Sequence, residues 1–245
     1  RVYQFYNADR EEKKQDYTPV SLARLVAYLS YMPSDKVVYD CCAGSGTLTI
    51  QKWGVNPDLK FVCEELDERV IPILLFNLCI RNIEATVINK NILTGEIISS
   101  YKTTKGAVYA SVQRPMFPET ELMKADVGVS NPPFNLRVSV SETILKDLPQ
   151  KYTCNFAFVA HCLQRSDRCA LILSSGVLTS KEEKECRKFL IEKGWLQAAI
   201  SLPEKMFEST SVATCILVLD KRKKSKDVML INAEEMKSVE VREQR

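Results

Sequence analysis

Seven short apolar runs rich in β-branched residues, spaced along the chain with helical patterns between most of them, restrict this sequence more than any other feature. The runs are KVVYD (36–40), LKFVCEEL (59–66), ATVINKNIL (85–93), ADVGVS (125–130), CALILSS (169–175), LQAAISL (196–202) and TCILVLD (214–220). Between them PVSLARLVAYLSYM, ERVIPILLFNLCIRN, NFAFVAHCLQRS and KEEKECRKFLIEKG place apolar residues at three- and four-residue spacing, which predicts amphipathic helices. Strands this uniformly apolar need cover on both faces, and alternation with helices supplies it. The expectation is therefore an α/β domain with a mostly parallel sheet of seven strands or slightly more, and helices on both faces. From Tyr101 to Lys124 the periodicity fails and two prolines intervene, so this stretch reads as an inserted, partly mobile loop.

With 245 residues, 45% of them hydrophobic, the chain is long enough for one large core, and residues 1–245 read as one domain. The net charge of +3 permits a nucleic-acid partner without arguing for one. The nine cysteines are scattered, mostly within apolar runs, which reads as the reduced thiols of a cytoplasmic protein. Cys41-Cys42 is not a C-x-x-C pair and His161 is the only histidine, so no metal site is expected. Val70 to Ile80 is too short to span a bilayer and is broken by Pro72 and Asn77, which argues against a membrane partner. The first residue is Arg1 and not Met, from which a fragment of a longer chain is expected.

Chemistry concentrates in three places. In VVYDCCAGSGTL (37–48) a buried strand ends at Asp40, and a small-residue loop turns through Ala43, Gly44, Ser45 and Gly46 into a helix. Glycines there let a ligand approach the backbone at the carboxyl ends of the strands, although a plain tight turn fits as well. The next strand ends in Glu64 and Glu65, about 20 residues on, where a carboxylate can accept hydrogen bonds from ribose hydroxyls. Strand alternation sends the two acids to opposite faces, so only one can serve. Neither G-x-G-x-x-G nor G-x-x-x-x-G-K-[ST] occurs, which favours an adenosine cofactor other than a dinucleotide and argues against a nucleoside triphosphatase.

The third place is NPPF (131–134), directly after ADVGVS. Its prolines hold Asn131 in extended geometry, where the amide and the Pro132 carbonyl can both accept from an exocyclic amino group while Phe134 stacks on the base that carries it. A structural turn is the alternative. His161, in the helical pattern FVAHCLQ, reads as a structural histidine, and the run KRKKSK (221–226) as a solvated turn or a contact to a nucleic-acid backbone.

Taken in order, QDYTP (15–19), DCCAGSG, an acidic second strand, NPPF, SSGVL (174–178), RKFLIEKGWLQAAISLPEKMF (187–207) and TCILVLDK (214–221) resemble the DNA adenine-N6 methyltransferases, in particular the methylation subunit of type I restriction-modification systems. The resemblance covers nearly the whole chain and implies a Rossmann-like, S-adenosylmethionine-dependent methyltransferase acting on an adenine flipped out of DNA. It implies that Tyr17, Thr18 and Pro19 close over the methionine end of the cofactor, beside Asp40, Ala43 and the Gly44 to Gly46 loop. It further implies that Glu65 binds the ribose, that Leu66 packs on the adenine with Ile92 nearby, and that Asn91 stands where the family often has an aspartate bonded to the adenine amine. Asn131, Pro132, Pro133 and Phe134 become the catalytic corner. Cys41 departs from the pattern, since proline is usual there. The partners implied are DNA, a specificity subunit and a restriction subunit. A methyltransferase for RNA or protein glutamine, and a cofactor-binding scaffold without catalysis, are the competing readings.

Overall fold

Period-two alternation along the strands sorts their side chains into two cores, one on each face of a single sheet. The structure, a computed structural model, describes residues 17–116, 124–134, 136, 154–207 and 211–236. Its elements are α1 (Val20–Leu29), β1 (Val37–Asp40), α2 (Thr47–Val55), β2 (Lys60–Glu65), α3 (Ile71–Cys79), β3 (Ala85–Lys90), β4 (Ile97–Thr104), β5 (Ser111–Gln113), β6 (Ala125–Ser130), α4 (Cys154–Arg165), β7 (Ser166–Ser174), α5 (Gly176–Thr179), α6 (Lys184–Glu192), β8 (Leu196–Ser201), β9 (Thr214–Asp220) and β10 (Met229–Asn232). Val38, Phe61, Cys63, Ala170 and Ile172 join Leu22, Val26, Leu48 and Leu74 from α1, α2 and α3 in one core. Their neighbours Tyr39, Val62, Cys169, Leu171 and Leu173 join Phe156, Val159 and Leu190 from α4 and α6 in the other. Leu74 and Ile172 are wholly buried, and truncating such a residue to alanine costs about 2–5 kcal/mol.

The ten strands lie in the order β10-β8-β9-β7-β6-β1-β2-β3-β4-β5. Strands β3, β2, β1, β6 and β7 run parallel. Strand β9 is reversed between β7 and β8. All seven expected strands are present, and the carboxyl ends of the parallel ones converge on one edge of the sheet. Because β9 is reversed, Asp220 pairs with Arg168 at the start of β7. The basic run 221–226 therefore begins at the opposite edge, where the Lys221 N–H donates to the Asp167 carbonyl at 2.8 Å.

The expected loop from Tyr101 to Lys124 needs correction. Residues 97–104 form β4, antiparallel to β3, and 111–113 form β5 beyond it, while 117–123 lie outside the described residues. The periodicity fails because β4 buries polar side chains, Ser99, Ser100 and Thr103. The Thr103 hydroxyl receives the Ala85 N–H and donates to the Ile83 carbonyl, both at 2.8 Å, which makes burial of a polar residue tolerable.

Candidate active site

Between β1 and α2 the chain turns through residues 41–46 with Gly44 at φ +54° and Gly46 at φ +92°, the left-handed region open to glycine. The two glycines do different work. A Cβ on Gly44 would meet nothing within 4 Å, whereas one on Gly46 would lie 2.8 Å from Leu74 Cδ1. Gly44 thus leaves space on the cleft side, and Gly46 lets the loop seat against α3. The loop is pinned from several sides. The Gly44 N–H donates to Glu65 Oε2 at 2.8 Å, the Ala43 N–H to the Glu64 carbonyl at 3.0 Å, and Asn77 Nδ2 to the Ser45 carbonyl at 3.0 Å.

Asp40 lies beneath this loop and not in it. Its Oδ1 accepts from Ser130 Oγ at 3.1 Å and the Cys42 N–H at 3.3 Å, and its Oδ2 from Thr49 Oγ1 at 3.4 Å. Burial, with Cys41 beside it, pushes the Asp40 carboxyl well above the usual carboxylate range. Expected beside the cofactor, Asp40 lies one layer below the cleft wall, where it ties β1 to β6 and α2.

Glu64 and Glu65 point to opposite faces, as alternation demands. Glu65 lines the cleft and accepts the Gly44 N–H on one oxygen and the Asp67 N–H, at 2.7 Å, on the other. Burial raises its carboxyl, against these two bonds. Glu64, wholly buried, instead meets Lys90 Nζ at 2.9 Å, His161 Nε2 at 3.0 Å and the Tyr39 hydroxyl. Burial alone would lift its carboxyl, but His161, Lys90 and Tyr39 together hold it at about 2. Asn89 Nδ2 donates to the carbonyls of Glu65 and Leu66 at 2.9 and 3.0 Å. This bond pair fixes the end of β2 and leaves Leu66 46% exposed as an apolar step beside the carboxylate.

The cleft at the carboxyl edge encloses about 980 Å³ of empty space, its open mouth and adjoining solvent included. Tyr17, Thr18, Ala43, Gly44, Ser45, Glu65, Leu66, Asn91, Ile92, Asn131, Pro132 and Pro133 line it. Among the described residues, Pro19, Asp40, Gly46 and Phe134 do not. The Pro19 carbonyl accepts the Ala23 N–H at 2.9 Å at the head of α1. Asn91 Oδ1 already accepts the backbone N–H groups of Leu93 and Thr94 at 3.1 and 3.4 Å, so its acceptor capacity is largely used within its own turn.

At the proline corner Asn131 Nδ2 donates to Thr18 Oγ1 at 3.0 Å. Residues 113 positions apart thereby meet, and the expected ligand-closing segment also holds the expected catalytic amide. Phe134 differs from its expected stacking position: it is buried and meets the Phe207 ring edge-on, with centroids 5.2 Å apart and planes at 79°. Burial of its apolar surface and the edge-to-face contact hold the ring in the adjacent core.

Sequence reasoning missed Cys41, Cys42, Lys90, Leu93, Leu136 and Phe158 on the cleft wall. Lys90 ends β3 directly before Asn91, and its pairing with Glu64 has no signature in the sequence. Phe158 comes from α4, whose periodicity shows that it packs but not against what.

A sheet in this order, with one reversed strand slipped in beside its last parallel neighbour and a ligand cleft at the first strand-to-helix turn, is the scaffold of the S-adenosylmethionine-dependent methyltransferases. The methyltransferase subunit of a type I restriction-modification system from Streptococcus thermophilus superposes with a TM-score of 0.76 at 22% identity, covering 95% of this chain and 50% of that one. The type I restriction enzyme EcoKI M protein superposes with a TM-score of 0.60 at 20% identity, covering 94% and 50%. Within that class the chain belongs to the N-6 DNA methylase family, whose model matches residues 2–245. It is 28% identical over 232 residues to the type I restriction enzyme MpnII methylase subunit of Mycoplasma pneumoniae, covering 86% of this chain and 41% of that protein. It is 26% identical over 251 residues to the type I restriction enzyme MjaVIII methylase subunit of Methanocaldococcus jannaschii, covering 94% and 41%. The chain spans about two fifths of the length of these curated relatives.

Proposed function

We propose that this chain is the catalytic domain of a DNA adenine-N6 methyltransferase that uses S-adenosylmethionine, within the methylation subunit of a type I restriction-modification system. The observation that carries the reading is the sharing of one cleft: Asn131 and Pro132 stand on the same wall system as Glu65, Leu66 and the glycine loop. The residues suit the cofactor. Glu65 keeps lone pairs for ribose hydroxyls after accepting two N–H groups, Leu66 and Ile92 offer apolar surface to a flat base, and Gly44 leaves its backbone uncovered.

S-adenosylmethionine, when bound, supplies an electrophilic methyl group on its sulfonium. The chain's own residues hold the acceptor. The target base leaves the duplex and enters the cleft. There the Asn131 amide oxygen and the Pro132 carbonyl accept from its amino group and aim the nitrogen lone pair. Phe134 stacks on the base once it leaves the ring of Phe207. Most of the rate enhancement then comes from positioning. Family membership favours DNA over RNA or glutamine as substrate, and the intact proline corner favours catalysis over a scaffold role. Site recognition is assigned to a specificity subunit and cleavage to a restriction subunit, so the domain alone binds DNA weakly, with strong salt dependence.

The test is methyl transfer by the full-length chain with its partners, using labelled cofactor on DNA and RNA. Asn131→Ala should retain cofactor affinity by calorimetry and lose turnover by about a hundredfold or more. Unchanged turnover removes the proposed role of the amide, and transfer to RNA alone removes the proposed substrate.

A further inference from the structure

The wall of the cleft contains thiol chemistry that methyl transfer does not use. Cys41 lines the cleft at the point where β1 becomes the glycine loop. Its sulfur lies 3.4 Å from that of Cys162, a fully buried residue of α4 in the same core as Cys41. The Cys41 thiol also donates to Ser130 Oγ at 3.3 Å. Ser130 in turn donates to Asp40, and it directly precedes Asn131. The two sulfurs therefore join three things: the loop, helix α4 and the strand that presents the catalytic amide.

We propose that Cys41 and Cys162 form an oxidation site in the floor of the cleft, taking a peroxide as oxidant and closing to a disulfide that weakens cofactor binding. The thiol chemistry stands on the geometry alone; the effect on binding rests on the cofactor reading given above. Cys41 is nearly buried and Cys42, beside it on the cleft wall, is the more exposed thiol, so a small oxidant entering the cleft passes Cys42 to reach Cys41, with Cys162 behind it. The Cys41 sulfur attacks one peroxide oxygen, the O–O bond breaks, and one water leaves a sulfenic acid behind. The Cys162 sulfur then attacks the Cys41 sulfur, the S–O bond breaks, and the second water leaves as the S–S bond forms. Two thiols lose two electrons, and one peroxide becomes two waters.

The roles of the two sulfurs are unequal. Burial raises the Cys41 thiol, but hydrogen bonds from Cys162 and Cys42 and the nearby His161 bring it on balance well below the ordinary cysteine value. The bond to Cys41, with burial, drives Cys162 the other way. Cys41 is then the nucleophile and Cys162 the resolving thiol.

A disulfide of about 2.05 Å requires the sulfurs to approach by little more than an ångström. Closure takes Cys41 from Ser130 and pulls the start of the loop toward α4. Asp40, the Cys42 N–H and Thr49 lose the arrangement that Ser130 helps to hold, and Gly44 shifts relative to Glu65.

The experiment treats the full-length chain with hydrogen peroxide, alkylates remaining thiols and maps the unreduced peptides. Expected is a Cys41–Cys162 linked peptide as the main product, reversed by dithiothreitol and formed about tenfold more slowly with saturating S-adenosylmethionine, with about tenfold or greater loss of cofactor affinity after oxidation. Cys162→Ala should give no linked peptide and no affinity loss that dithiothreitol reverses; if that variant fails to fold, the wild-type map alone decides. Cys41 and Cys162 remaining reduced while other cysteines react, a link from Cys41 to Cys42, or linkage with unchanged affinity would each overturn the proposal. A reduced protein that forms the link yet never binds S-adenosylmethionine upholds the thiol site and removes the cofactor reading instead.

Discussion

The floor beneath the cleft and the wall of the cleft meet at consecutive residues, Glu64 and Glu65, and treat the same side chain in opposite ways. On the floor Glu64 is surrounded by side chains, Lys90, His161 and Tyr39. On the wall Glu65 is bonded by backbone N–H groups of Gly44 and Asp67 and borders the cleft. A carboxylate saturated by side-chain partners fixes structure, because it has nothing left to offer a ligand. One held by backbone keeps lone pairs for a ligand and lets ligand binding report on the loop that holds it. Adjacent acids on a strand thus divide stability from function, and the pleat alone performs the division.

The strongest way to break this comparison is Glu64→Gln. Removing one partner of a buried charged cluster costs about 3–5 kcal/mol, and denaturant unfolding should show a loss of that order, with cofactor affinity per folded molecule little changed. The acid limb sharpens the test. With its carboxyl held at about 2 when folded, below the ordinary value near 4.5, Glu64 contributes stability that is complete above about pH 4.5 and lost as pH falls toward 2. Thermal melts of the wild type should fall across that window, and the Glu64→Gln protein should fall less. Glu65 has the opposite sign, because its carboxyl is raised: the stability it costs near neutral pH is regained on acidification. A steeper acid limb in Glu65→Gln than in the wild type is the expected sign.

Glu65→Ala comes next in size. Loss of hydrogen bonds to a charged group should weaken S-adenosylmethionine binding by about 1.5–3 kcal/mol, read by calorimetry, with a far smaller effect on the melt than Glu64→Gln. If Glu64→Gln were the variant that lost affinity and Glu65→Ala the one that unfolded, the division of labour would be reversed. The smallest effect belongs to Thr18→Val, which removes the acceptor for Asn131 Nδ2 while keeping the shape of the side chain. The single-turnover transfer rate should fall by about 1 kcal/mol, roughly fivefold, and Thr18→Ser should restore it. A change in cofactor affinity with no change in rate would return Thr18 to a purely cofactor-binding role.

The parts of the fold that were legible in the sequence are those covered on both faces. β1, β2, β3, β6, β7, β8 and β9 are nearly continuous apolar runs because helices bury them from both sides. Strands β4 and β5 escaped notice for the same reason inverted: β5 exposes all three residues, and β4 buries serines and a threonine where a reader looks for leucines. In the site, motifs located the residues whose backbone turns or whose strand ends at the cleft. They did not show that the side chains of Asp40 and Phe134 turn inward, and they were silent on Lys90 and Phe158, which arrive through packing. Pattern reports which residues are near an edge; the depth of a side chain is set by partners far away in sequence.

The reversed strand β9 has a last consequence, for solubility. It delivers the basic run 221–226 to the start of β10, an open edge of the sheet where Met229 and Leu230 are exposed. An apolar edge strand invites pairing with another copy, and flanking charge is how such strands are kept from doing so. Four lysines and an arginine within 221–226, ending two residues short of the four residues of edge strand, are placed where gatekeeping charges oppose aggregation. Neutralising them should leave the chemistry at the far edge intact and be felt first as a lower concentration at which the protein stays in solution.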